Sequence, residues 1–276
     1  QVGRTTINDI MQQILADPRK AGDEPFELAH KLLGKAIVIA DADRVAAAEW
    51  AKRKFGVTAF VLDDAFQHRK AKRDVDIVCI DATDPFDGAE MLPAGRLREP
   101  LANLSRADIV VITRANLVDN IETLRSEISD LAPDAHIFAA GNQISGIVGS
   151  DEFHANPRRP QSEEKILVKG TRSNEKELRA KRALAFCALG NPENFFQQLR
   201  HDGFTVAETE AFRDHHRYFQ QDIDKIDAKA GQTGCEVLLT SAKDTVKLKG
   251  LTFTFPCFVV EIEMVIDDAE EFIGLI

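Results

Sequence analysis

From residue 36 the chain repeats a short apolar run, a polar break and an amphipathic stretch. Ala36–Ala40 (Ala-Ile-Val-Ile-Ala) predicts a buried strand, and Arg44–Phe55 predicts a helix with Ala47, Ala51 and Phe55 on one face. Ala59–Leu62, Ile77–Ile80, Ile109–Ile112 and Ala135–Ala139 predict further strands, with an amphipathic helix over Leu117–Leu131. Strands that are apolar throughout, rather than alternating, are buried on both faces, which is the habit of parallel strands between layers of helix. The expected fold class is therefore α/β, a doubly wound and mostly parallel sheet.

Residues 151–182 break the pattern. They are rich in charge, contain Pro157, Pro160 and Gly170, and offer only Lys165–Lys169 as a strand. This stretch predicts a linker between a first domain (1–150) and a smaller α/β lobe (183–276). The second set runs strand (Ala183–Leu189), helix (Asn194–Arg200), strand (Phe204–Ala207), helix (Phe219–Ala230), strand (Val237–Thr240) and a last strand, Cys257–Ile262.

Composition adds limits more than content. The 276 residues are 44% hydrophobic and 29% charged, as in an ordinary globular protein. A formal net charge of −10 gives no general attraction for nucleic acid or anionic membranes, so an anionic substrate needs local basic patches. Cys79, Cys187, Cys235 and Cys257 are widely spaced, without a Cys-x-x-Cys pair, and read as small hydrophobes in a reducing compartment. No apolar run reaches the ~18 residues that a membrane-crossing helix needs.

Several short motifs could carry chemistry. In Phe60-Val61-Leu62-Asp63-Asp64 an apolar run ends in two acids. Carboxylates so placed at the C-terminal edge of a parallel sheet are how nucleotide enzymes hold Mg2+, although a polar strand end capping the next helix is the plainer reading. His68 and Arg69 follow closely. Asp23, ahead of Glu24, Pro25 and the apolar-periodic Phe26–Leu33, is accounted for as a helix N-cap. Asp214-His215-His216 pairs a carboxylate with an imidazole, the material of a general base, while zinc would need more ligands than lie nearby. Arg96 and Arg98, in Leu92-Pro93-Ala94-Gly95-Arg96-Leu97-Arg98-Glu99-Pro100, could grip phosphate, or form a solvated loop. Thr113-Arg114-Ala115-Asn116 could touch a nucleotide base, which is a weak signal alone.

Together and in order, these stretches resemble the tetraacyldisaccharide 4'-kinases, the lipid A 4'-kinases of Gram-negative bacteria. The resemblance runs from about residue 20 to 262 and also takes in Arg73-Asp74-Val75-Asp76-Ile77-Val78 and Arg106-Ala107-Asp108-Ile109-Val110. In the second lobe it includes Ala185–Pro192, Phe195-Phe196, Phe212-Arg213-Asp214-His215-His216 and Leu238–Asp244. It implies a phosphate-loop-kinase-like sheet with a smaller lobe that closes over ATP. The implied reaction moves the ATP γ-phosphate to the 4'-hydroxyl of a lipid A disaccharide 1-phosphate precursor, by a protein on the cytoplasmic face of the inner membrane. On that resemblance Asp23 activates the sugar hydroxyl, and His215 pairs with it from the second lobe. Asp63 and Asp64 organise Mg2+, Glu24 and His68 flank the site, and Arg96 and Arg98 are candidate phosphate contacts.

The sequence departs from the family pattern in places. Nothing reads Gly-x-x-x-x-Gly-Lys-Ser/Thr; Val2-Gly3-Arg4-Thr5-Thr6 has one glycine and an arginine in place of the lysine. With Gln1 at its start, the chain is expected to be the greater part of a longer kinase. Ala65 stands where the family prefers Gly, Ala242 replaces an acid, and Asn116 replaces a common Asp. The alternative is a degenerate relative that binds an anionic lipid or sugar phosphate without transferring phosphate. A metal-dependent hydrolase using Asp63, Asp64 and His68 is a third reading.

Overall fold

A computed structural model describes residues 5–6, 25, 28–29, 32–95, 97–150 and 172–276. The chain divides into two compact units, residues 1–76 with 158–161, and residues 77–157 with 162–276.

In the first unit, strand β1 (Thr5–Thr6) pairs antiparallel with β2 (Ile39–Ala40). Helix α1 (Arg44–Phe55) has the bounds its pattern predicts, because both ends are chemically marked. The Asp43 carboxylate accepts the Ala46 N–H at 3.0 Å, and Gly56 closes the other end at φ 68°. Ala59–Leu62, expected as a strand, has no ladder among the described residues, and Val61 is 98% exposed. Apolar, β-branched composition suits a strand, but hydrogen bonds to a neighbour make one. The expected parallel-sheet placement of Asp63 and Asp64 is corrected accordingly.

Among the described residues, the second unit is built on one seven-stranded sheet. Its strands are β3 (Ile77–Asp81), β4 (Ile109–Thr113), β5 (His136–Gly149), β6 (Ala183–Cys187), β7 (Val206–Ala211), β8 (Val237–Ser241) and β9 (Cys257–Ile266), in spatial order β3-β4-β5-β9-β8-β6-β7. All neighbours are parallel except β5 and β9. Strand β5 serves two ladders: His136–Ala139 pairs with β4, and Ala140–Gly149 pairs with β9. The two parallel sets thus share one continuous sheet, with a register shift between Ile144 and Gly146. The division into a first domain, a linker and a small lobe remains a proposal about function, since most of 151–182 lies outside the described residues.

The helices of this unit are α2 (Glu122–Leu131), α3 (Arg172–Ala180), α4 (Pro192–His201), α5 (Gln220–Thr233), α6 (Ala242–Thr245) and α7 (Ala269–Gly274). Period-two alternation in β6 and β8 separates two cores. Ala183, Ala185, Cys187, Val237 and Leu239 pack with Phe195, Phe196 and Leu199 of α4. Leu184, Phe186 and Leu238 pack on the other face with Ile223, Ile226 and Ala230 of α5. Every residue of β4, β6 and β8 is buried, as strands covered on both faces require. Three cysteines are buried as expected, whereas Cys79 of the edge strand β3 is exposed.

Candidate active site

Asp63 and Asp64 form an exposed turn, with Asp64 in the left-handed region at φ 49°. Few side chains accept that conformation, and Asp is among them. The next turns are closed by His68 N–H to Ala65 O (2.8 Å) and Ala71 N–H to His68 O (3.1 Å). Arg73 clamps the segment, donating to His68 O and Ala71 O at 2.9 Å each while its Nε and Nη2 meet both oxygens of Asp76. That bond to Asp76 raises the Arg73 pKa above its ordinary value, outweighing burial. His68 Nδ1 is buried and meets no hydrogen-bond partner among the described residues.

In the second unit, the C-terminal ends of β3 and β4 carry a polar network. Asp81 accepts from Arg114 Nη1 (2.5 Å), Thr83 Oγ1 (2.7 Å), Thr83 N–H (3.0 Å) and Asn194 Nδ2 (3.3 Å). Asn116 donates to Asn142 O (3.1 Å) and Gln198 Oε1 (3.2 Å), and accepts the Asn142 N–H (2.8 Å). Its amide is thereby bonded on both its nitrogen and its oxygen within the protein. Ile77–Asp81 shares with Phe60–Asp64 an apolar run ending in an acid, and here the run does pair into a ladder, with β4.

The segment Phe212–Tyr218 presents the histidines. Phe212 N–H donates to Cys187 O at 2.9 Å, and its ring stacks on His216 at 4.8 Å. His216 Nε2 lies 3.0 Å from Asp222 Oδ2, which also accepts the Phe219 N–H at 3.0 Å, at the start of α5. Burial pushes the Asp222 carboxyl upward, but the Phe219 N–H and His216 outweigh it and hold it below its ordinary value. His215 Nε2 instead stands 3.7 Å from Asp214 Oδ2. It is half-exposed and left-handed at φ 59°, and its N–H donates to Asp214 Oδ1 at 3.0 Å.

Beneath this segment lies a buried acid. Asp244 is 0% exposed; its Oδ2 accepts from Ser241 Oγ (2.6 Å) and Ala188 N–H (3.1 Å), and Lys247 Nζ stands 3.9 Å from its Oδ1. Burial first, then the Asp244 charge, drives the Tyr218 hydroxyl far up and lifts the Cys187 thiol to about 12.

The basic loop is tightly turned. Gly95 N–H meets Met91 O (2.9 Å) and Leu97 N–H meets Glu90 O (3.1 Å). A Cβ on Gly95 would fall 2.2 Å from Glu90 O, so only glycine fits without a backbone shift. Glu99 takes both Nη2 contacts of Arg106 at 2.8 and 3.0 Å, anchoring the loop to the turn before β4. Arg98 is exposed. Asp23, Glu24 and Arg96 lie outside the described residues.

The family model for Tetraacyldisaccharide-1-P 4'-kinase matches residues 3–276. The chain belongs to this family. Among curated relatives named Tetraacyldisaccharide 4'-kinase, that of Halothermothrix orenii is 36% identical over 238 residues, 86% of this chain and 60% of the relative. That of Geobacter metallireducens is 32% identical over 89% of this chain and 65% of the relative, and that of Chlorobium limicola 32% over 99% and 75%. The chain therefore spans less than two thirds of the length of the first two.

For a tetraacyldisaccharide 4'-kinase family member, the sequence departures now have local explanations. The left-handed residue of the acidic turn is Asp64, not Ala65, which is buried, so the missing glycine imposes no backbone conflict. Beside Ala242, the Ser241 hydroxyl still caps α6 by accepting the Asp244 N–H at 3.2 Å. No three His, Cys, Asp or Glu side chains converge on a metal position among the described residues. The exposed Asp63–Asp64 turn nevertheless suits Mg2+, which keeps several waters and takes one or two carboxylates with substrate phosphates.

Proposed function

We propose that the chain is the larger part of an ATP-dependent kinase that phosphorylates the 4'-hydroxyl of a lipid A disaccharide 1-phosphate precursor. The observation that carries this reading is the family match over residues 3–276. The residues quoted for the resemblance supply the chemistry.

Phosphoryl transfer asks a protein chiefly for positioning and for neutralisation of charge on the transferred group. It also needs a group that accepts the proton of the attacking hydroxyl. Asp23 is the proton acceptor in this reading, with His215 its partner and Glu24 and His68 flanking. Mg2+, held at Asp63 and Asp64, would neutralise the phosphate charge. Arg98, with Arg96, binds the sugar phosphate, for which guanidinium geometry is suited. No helix among the described residues is long and apolar enough to cross a membrane. In this reading the chain meets its lipid substrate at a peripheral membrane surface, the cytoplasmic face of the inner membrane.

The test is transfer of labelled γ-phosphate from Mg·ATP to the disaccharide 1-phosphate by the protein expressed from its whole coding sequence. Asp23→Ala and His215→Ala should each lower kcat by roughly 10²-fold or more, as expected for loss of a proton-transfer group. Wild-type turnover in both variants would sink the assignment of these two residues. Binding of the lipid without any transfer would favour the non-catalytic alternative.

A further inference from the structure

Three separated motifs meet at one carboxylate. Asp214 Oδ1 accepts the His215 N–H at 3.0 Å and lies 3.8 Å from Lys243 Nζ. Its Oδ2 lies 3.7 Å from His215 Nε2 and rests over Gly190, where a Cβ would stand 3.3 Å from that oxygen and meet only the same carboxylate within 4 Å among the described residues. The floor and wall of this seat are themselves fixed by Asp244. It is adjacent in sequence to Lys243 and accepts the Ala188 N–H at 3.1 Å, two residues before Gly190. Gly190, Asp214 and Lys243 lie on the exits of β6, β7 and β8, three neighbouring parallel strands.

His215 is held at φ 59°. A non-glycine residue keeps a left-handed backbone only where its surroundings over-determine it. Here the determinant is the Asp214 carboxylate, which receives the His215 N–H and is itself confined from below by Gly190 and from the side by Lys243.

We infer that Gly190, Asp214 and Lys243 form a seat that positions His215, the glycine leaving room for a carboxylate that a Cβ 3.3 Å from its Oδ2 would crowd. Gly190 does not have a positive φ, so alanine there is compatible with the backbone and displaces the carboxylate by a few tenths of an ångström. Lys243 acts on Asp214 at the surface, where an ion pair adds little to stability. None of the three is a catalytic residue; each acts through the orientation of His215. The inference rests on the role proposed for His215 only where it predicts a rate.

Two readouts test it on the protein expressed from its whole coding sequence. Gly190→Ala and Lys243→Met should each lower kcat about tenfold, as a small misplacement at a reacting centre does. KM for Mg·ATP and the thermal midpoint should stay unchanged, and Lys243→Arg should restore most of the rate. In the same variants, the His215 amide should exchange with solvent faster and shift its 1H–15N resonance. Wild-type rates in both variants together with an unchanged His215 amide would overturn the seat. If the wild-type protein transfers no phosphate at all, the kinase reading fails on its own. The amide then decides, faster exchange in both variants supporting the seat and unchanged exchange refuting it.

Discussion

The segments around Asp64 and His215 each place a functional candidate at a positive φ, of 49° and 59°, yet they are supported differently. The turn at Asp63–His68 is shaped by bonds within a few residues and by the Arg73 clamp on His68 O and Ala71 O. The loop at Phe212–Tyr218 is tied to β6 and α6 through Cys187 and Lys243, distant in sequence, and to the start of α5 through the nearer Asp222, while Tyr218 lies 3% exposed against Phe186. Local closure gives a turn its shape with few groups. Tertiary closure makes a loop's shape depend on elements far along the chain.

The largest break of this contrast is Asp244→Ala. It removes the acceptor for Ala188 N–H and Ser241 Oγ and the counter-charge 3.9 Å from the buried Lys247 Nζ. Losing one partner of a buried charged pair costs about 3–5 kcal/mol. Urea unfolding of the variant should read a loss of that order with the m-value unchanged; a loss under about 1 kcal/mol would deny Asp244 its anchoring role.

Arg73→Met probes the local side. It removes a part-buried bidentate contact to Asp76 and two carbonyl contacts, worth about 1–2 kcal/mol in total after screening. Hydrogen exchange should quicken at His68–Asp76 while the Phe212–Tyr218 amides keep their protection. Equal loosening of both segments would erase the distinction drawn between them.

Acid should act on the tertiary loop through Asp222. Its folded pKa is depressed, so its stabilisation is present above the ordinary carboxylate value of about 3.9 and is lost as pH falls through the lower folded value. Denaturation curves at pH 5 and pH 3 should therefore diverge less in Asp222→Asn than in wild type. An identical pH response in the two proteins would show that the Phe219 N–H and His216 do not stabilise the ionised form.

The smallest effect is expected for Ala65→Gly. Ala65 is buried and its backbone has no positive φ. Glycine there should cost roughly 0.5–1 kcal/mol through chain entropy and lost packing. A gain in stability by calorimetry would mean that the turn strains against its alanine.

Sequence legibility follows the same division. Strands β4, β6 and β8 were readable because burial on both faces leaves an uninterrupted apolar run. Helix α1 was readable to the residue because Asp43 and Gly56 mark its ends. Strand β5 was expected to stop at Ala139, yet it continues through Gly141, Asn142, Gln143, Ser145 and Gly146. Its extension is specified by pairing with β9, not by its own hydrophobicity. Ala59–Leu62 failed for the converse reason, apolar composition without a ladder among the described residues. At the site, Asp214 and His215 announce themselves as neighbours. Gly190 and Lys243 join them only through the parallel order of β7, β6 and β8, which no local spacing encodes.

The depth at which Asp244 is buried has a consequence for genetics. A substitution at a surface histidine such as His215 should leave protein abundance intact and alter turnover, whereas one at Asp244 lowers the folded fraction available to the cell and exposes the chain to proteolysis. A growth screen would score the two positions alike. Raising expression or lowering temperature should rescue conservative replacements at Asp244 but not those at His215, so dosage sensitivity separates the architectural acid from the chemistry it stands behind.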